Sequence, residues 1–402
     1  MINFDIIDDI PTTNKTVFLL ADLDVQIDEY GKIVDDRKIQ VAMPTIKYLV
    51  KTGARVVIAT HLGRPSDLFD VHLSTKPIAK YLDKRLHCDV NFCSTCIGER
   101  SKQEIFRTGY GDVIVLENLF SHREEIMCDV NFARRLADGI NIYVNDAFGY
   151  SDKPYSSVLC LPLFVRATGG LVLSNYVKQL DTFLNNSDGF STAIIGGKMI
   201  NKLELLNNLI ENVRYVVVGG LVANNFLKAF GYNIGKSQFE PKCVEIAEKF
   251  FNKAKKNGCL LVFPVDVAVV RNTLQEKIQI KKISEIENDD IIVDMGTESV
   301  KNVCDILSLS KCVFCDGLTG ISEISTCDAF FTISDKIARL TKEKHIFSII
   351  SGQDTLLALK NKSFLQDFSF VSSFPDATLQ YMSGKVLPGL EVLKRLSKQM
   401  VV

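Results

Sequence analysis

The sequence predicts an α/β protein built on open parallel sheets, and three observations carry that prediction. Short apolar runs of strand length alternate along the chain with amphipathic stretches of helical length. The 402 residues are too many for one compact core, so two domains are expected. Polar and charged residues recur just after the apolar runs, where open α/β sheets bind their ligands.

Taken in order, the runs that read as strands begin with TVFLLA (16–21), ARVVIAT (54–60), DVIVL (112–116) and NIYVN (141–145). TAIIGG (192–197), RYVVVGG (214–220), CLLVFP (259–264) and DIIVDMG (290–296) follow, then KCVFC (311–315) and IFSIIS (346–351). QVAMPTIKYLVKTG (40–53) and CVEIAEKFFNKAKKNG (243–258) space apolar residues three and four apart and end on Gly, which reads as a helix with its stop. The alternation predicts parallel sheets with helices on both faces. The best boundary is a long helical stretch, ATGGLVLSNYVKQLDTFLNN at 167–186, ending in the polar NNSDGF.

Composition is that of a globular chain, 47% hydrophobic and 24% charged, with too much apolar residue for disorder. A formal net charge of −1 lacks the basic excess that nucleic acid or an anionic membrane surface would attract. No apolar run has the length to span a bilayer. The opening MINFDIIDDIPTTNK carries acids early and does not read as a signal peptide. The 11 cysteines, an odd number, suit a reducing cytoplasm with free, mostly buried thiols. Cys93 with Cys96, and Cys312 with Cys315, have CxxC spacing. A zinc site would need both pairs to converge, and core packing is the leading reading.

The strand ends are chemically marked. Asp22 and Asp24 follow the first run, His61 to Pro65 the second, and Asn145 and Asp146 the fourth. Gly196, Gly197 and Lys198 follow TAII, and Asp354 and Thr355 open a helix after SIIS. Gly and Lys at a strand end feeding a helix N-terminus suit phosphate, through bare backbone N–H groups and a cation. Neither the GxGxxG dinucleotide fingerprint nor a Walker P-loop is present.

HLGRP at 61–65, the preceding DDRKIQVAMPTIKYLVKTGA, LENL at 116–119 and YVNDAFG at 143–149 resemble phosphoglycerate kinase. So do FLKAFGYNIGKS at 226–237, FPVDVAVV at 263–270 and GKVLPGLEVL at 384–393, in order over essentially the whole chain. The resemblance implies two Rossmann-like domains with parallel sheets, joined by a long interdomain helix. Residues 1–166 would bind 3-phosphoglycerate or 1,3-bisphosphoglycerate, with about 385–402 packing back on them. Residues 187–384 would bind ATP or ADP with Mg2+, and 167–186 would be the helix between. Hinge closure would bring the two together for in-line transfer.

By the same resemblance, Asp22, Asp24, His61, Arg64 and Lys153 would bind the phosphoglycerate. Lys38 would stand for the arginine that stabilises the transferring group, with Lys202 as its catalytic partner. Gly197, Lys198, Lys202, Glu323, Gly352, Asp354 and Thr355 would hold the nucleotide, with Asp354 as the Mg2+ ligand. For each there is a plainer reading: an ion pair for His61 and Arg64, solvated lysines at 198 and 202, and a helix cap for Asp354. The resemblance further implies a cytoplasmic monomer with no nucleic-acid or membrane partner.

The chain departs from the family pattern at marked places. Lysines stand for arginines at Lys38 and Lys153, Leu20 and Phe120 replace two more, and Tyr155 replaces a histidine. Lysine keeps the charge but loses the planar fork that fits phosphate. GGKMINK is one residue short of the family's loop, Leu221 and Leu318 replace a glycine and a proline, and Asp316 an asparagine. Phe374, Pro375 and Asp376 stand where a glycine loop is expected, adding bulk and negative charge and deleting a donor. Losing one transition-state donor costs about a hundred- to thousandfold in rate. Three readings stay open: a slowed phosphoglycerate kinase, a degenerate relative kept as a binding protein, and a kinase with an altered acid substrate.

Overall fold

The computed structural model describes residues 3–63, 73–185, 190–271, 277–321, 328–360 and 362–399. Contacts divide the chain into one unit of Met1–Lys178 with Val386–Val402, and a second of Gln179–Lys385.

Unit 1 contains a six-stranded sheet in the order β3-β4-β2-β1-β5-β6. Its strands are β1 (Thr16–Ala21), β2 (Arg55–Ala59), β3 (Val90–Cys93), β4 (Val113–Leu116), β5 (Ile142–Asp146) and β6 (Arg166–Gly169). Every pairing is parallel. All six residues of β1 are buried, as a central strand covered on both faces requires. Val17, Leu19 and Ala21 pack with Ile39, Ile46 and Leu49 of the helix Arg37–Lys51. Gly53, at φ +74°, lets the chain leave that helix in the left-handed region.

Unit 2 has a second parallel sheet, in the order β15-β14-β13-β7-β8-β9. Its strands are β7 (Ser191–Ile195), β8 (Tyr215–Val218), β9 (Leu260–Val262), β13 (Cys312–Asp316), β14 (Phe347–Ser351) and β15 (Phe370–Val371). The order reverses between β7 and β13. Cys312 and Cys315 lie in β13 with no exposure.

Two features differ from the sequence reading. Residues 290–296 were expected in a parallel sheet, but β12 (Asp290–Met295) belongs to a separate antiparallel sheet, β11-β10-β12. The other two strands are β10 (Asp266–Arg271) and β11 (Gln279–Lys282). The connections are too short for a parallel crossover, which takes about a dozen residues or more, so the strands fold back on one another. The helix expected from 167 begins later, as Leu171–Leu184, because β6 first pairs with β5. Its start is fixed by Asp146, whose Oδ1 accepts from the N–H groups of Val172 at 2.9 Å and Leu173 at 3.0 Å. Among the described residues no helix is long and apolar enough to cross a membrane.

Candidate active site

The reversal between β7 and β13 leaves a crevice at the carboxyl ends of both strands, the place where an open α/β sheet binds its ligand. A cavity of about 760 Å³ opens there. Gly197, Lys198, Lys202, Asp316, Gly352 and Asp354 are among its lining residues. Lys198 is exposed, whereas the Lys202 side chain is 11% exposed. Lys202 Nζ donates to Asp316 Oδ1 and, at 2.8 Å, to the Asp316 carbonyl.

Backbone geometry brings the loops together. Gly317 has φ +97°, and a Cβ there would lie 2.5 Å from the Gly196 carbonyl oxygen, so only glycine fits. Its N–H donates to the buried Thr355 Oγ1 at 2.9 Å, tying the loop after β13 to the helix Gln353–Leu359. After β7 the Gly196 N–H donates to the Asp316 carbonyl at 3.0 Å, and further on Met199 and Ile200 donate to the Glu240 carboxylate at 2.7 and 3.3 Å. Phe374 turns into the core at 4% exposure, so its bulk does not enter the cavity. Pro375 begins the helix Pro375–Met382, where its missing N–H costs little, and Pro375 and Asp376 line the cavity. Asp294, on the cavity wall, accepts from Thr319 Oγ1 and the Met295 N–H, each at 2.9 Å. Burial pushes its carboxyl up to about 6.

In unit 1 the carboxyl ends of β1 and β2 are joined by hydrogen bonds. Asp22 is buried, and Lys38 Nζ donates to its Oδ1 at 3.0 Å; Asp24 Oδ2 lies 4.0 Å from the same nitrogen. Burial raises the Asp22 carboxyl above the usual range despite the pull of Lys38. Asp24 Oδ1 accepts from the Gly63 N–H at 2.8 Å. Lys153 pairs with Asp152 at 2.6 Å and is 42% exposed.

His61 was expected at a ligand surface, but its ring has no exposure. Its Nε2 lies 2.8 Å from Glu125 Oε1, and the rings of Phe120, Tyr150 and Tyr155 surround it at 4.6, 4.4 and 5.2 Å between centroids. Three aromatic neighbours and a buried carboxylate partner enclose the imidazole. Arg64 and Glu323 lie outside the described residues.

The family model described as phosphoglycerate kinase matches residues 7–385. The chain belongs to the phosphoglycerate kinase family. Phosphoglycerate kinase of Orientia tsutsugamushi (strain Boryong) is 35% identical over 398 residues, 98% of each chain. That of Wolbachia pipientis subsp. Culex pipiens (strain wPip) is 36% identical over 397 residues, 97% of this chain and 99% of the relative. The solved structure of phosphoglycerate kinase from Coxiella burnetii superimposes with a TM-score of 0.89 at 29% identity, covering 98% of this chain and 100% of that one. The enzyme class is thereby that of phosphoglycerate kinase, a transferase and a kinase of glycolysis.

For a phosphoglycerate kinase family member, the residues that sequence reasoning missed are the ones that hold functional groups in place. Glu125, with no exposure, also takes Ser157 Oγ at 2.5 Å. Asn118 accepts the Leu62 N–H at 3.1 Å and donates to the Leu62 carbonyl at 2.8 Å, anchoring the loop after β2. Glu240 lies 41 positions from Met199, whose N–H it takes. Each is a single polar residue whose partner is remote in sequence, so no local spacing marks it.

Proposed function

We propose that the chain transfers a phosphoryl group reversibly between 1,3-bisphosphoglycerate and ADP. Unit 2 holds the nucleotide and unit 1 the phosphoglycerate. The observation that carries this reading is the cavity at the β7–β13 reversal, with Lys198 and Lys202 at its wall. In-line phosphoryl transfer needs positioning, cations and exclusion of water, and little covalent chemistry from the protein. Gly197, Gly352 and Thr355 shape the phosphate end, and Glu323 would meet the ribose.

A divalent cation fits as a companion of the nucleotide. Asp354 offers a hard oxygen donor on the cavity wall. Among the described residues no group of three His, Cys, Asp or Glu side chains gathers that could hold a metal. Substrate oxygens and water would therefore complete the shell, as Mg2+ commonly requires. In unit 1, Lys38 would steady the transferring group, and Asp22, Asp24, Arg64 and Lys153 would hold the phosphoglycerate. His61, enclosed as it is, would act by supporting the loop after β2. A cytoplasmic, monomeric state follows from the family resemblance.

Titration calorimetry with MgADP and 3-phosphoglycerate, singly and together, tests this beside a coupled transfer assay. Binding of both with measurable transfer supports the kinase. Lys38→Met and Lys202→Met should each lower the transfer rate about a hundred- to thousandfold. The second reading, a degenerate relative, is favoured by the aromatic enclosure of His61 and by the carboxylates on Lys38 and Lys202. Failure to bind either ligand would select it.

A further inference from the structure

The Lys202 and Asp316 side chains form an ion pair, and both residues line the cavity of the β7–β13 crevice. The Lys202 side chain is 11% exposed and that of Asp316 5%. The lysine meets two oxygens of the same residue, the carboxylate and the main-chain carbonyl. An ammonium has three donors, so two are already engaged. Nearby, the N–H groups of Met199 and Ile200 carry the Glu240 carboxylate, while the exposed Lys198 also lines the cavity. An anion entering the crevice meets, in Lys202, a cation that already holds an internal anion.

We propose that Asp316 is a built-in occupant of the phosphate subsite. Its carboxylate sits on Lys202 until a phosphate of the nucleotide takes its place. This rests on the reading of the cavity as a nucleotide site. The exchange has two consequences. The competent state, with Lys202 released, is a minor fraction of the free protein, and apparent affinity falls by that fraction. The displaced carboxylate also stays beside the phosphates and repels them. A polyphosphate that brings its own divalent cation has that repulsion offset, while a metal-free one does not. Asp316 therefore sets both the affinity of the subsite and its preference for the metal complex.

The test is calorimetric titration of the full chain and its D316N and K202M variants with MgADP, with metal-free ADP in chelator, and with inorganic tripolyphosphate. D316N should bind MgADP about tenfold tighter than the parent. It should gain more for metal-free ADP, so that the ratio between the two ligands narrows. K202M should lose affinity for all three. If D316N does not fold by thermal melting, D316S carries the same expectation. Equal or weaker binding of MgADP by a folded Asp316 variant overturns the proposal and leaves the nucleotide reading standing. Failure of parent and variants alike to bind any of the three overturns both.

Discussion

Each unit holds a cationic or cationisable group beside a carboxylate at the carboxyl ends of its sheet, and the two sites are built to opposite ends. In unit 1, His61 and Glu125 have no exposure, and three aromatic rings close around the imidazole. In unit 2, Lys202 and Asp316 border a cavity of about 760 Å³. The first pair cannot exchange partners without opening a core, while the second can exchange with whatever enters the cavity. A nitrogen base beside a carboxylate is therefore architecture in one place and a replaceable contact in the other. Exposure and neighbours decide which, and residue type does not.

The largest effect that would break this comparison is Glu125→Ala. It leaves His61 Nε2 and the Ser157 N–H and hydroxyl without their partner in the core of unit 1, and each buried polar group left unsatisfied costs about 1–3 kcal/mol. Urea denaturation should show a correspondingly lower midpoint, with a distinctly smaller loss for D316N, because Lys202 can turn to water in its cavity. Equal losses for the two variants would erase the distinction.

Next in size is a dependence on pH that the two units share. Asp146 in unit 1 and Asp294 in unit 2 are both pushed by burial from 3.8 up to about 6. Between those values the unfolded chain has lost the proton that the folded chain keeps. The folded state then binds more protons, so stability falls as pH rises through this window and levels off above about 6. Each group contributes on the order of 2–3 kcal/mol to that fall. Denaturation midpoints from pH 4 to pH 7 should flatten in Asp146→Asn and in Asp294→Asn. An unchanged slope in either variant would remove that group from the account.

The smallest effect sharpens the comparison at the surface. Lys153 pairs with Asp152 but is 42% exposed. Lys153→Ala should change stability by less than about 1 kcal/mol, as exposed pairs do. A raised KM for 3-phosphoglycerate at unaltered stability would assign the side chain to substrate, and an unchanged KM would make it a surface pair only.

The central strands were legible because apolar runs such as TVFLLA, wholly buried as β1, can be little else. The edges were not. β3 reads VNFC, carries a polar residue and is half-exposed, and β15 has two residues. The antiparallel sheet was hidden because DIIVDM looks like a parallel core strand, while its neighbour QIKK in β11 is largely exposed and carries charge. Of the candidate site, Lys198, Lys202, Gly352 and Asp354 share the cavity that the strand-end rule anticipates. What stayed hidden was occupancy: that Glu240 takes the N–H groups of Met199 and Ile200, that Asp316 takes Lys202, and that Glu125 takes His61. Those pairings depend on tertiary proximity, which one-dimensional spacing does not encode.

The chain closes unit 1 with its last helix, Pro388–Gln399. The Gly389 N–H donates to the Ser151 carbonyl at 2.9 Å, the Asp5 N–H donates to Ser397 Oγ at 2.9 Å, and Leu390 and Leu393 are buried. On the ribosome, every residue of unit 2 is made before that helix exists. Domains tend to fold as they emerge, N-terminal first, but here the N-terminal unit waits for the final residues of its own sheet cover. The unit begun first is the one whose closing helix is made last, after every residue of the second unit.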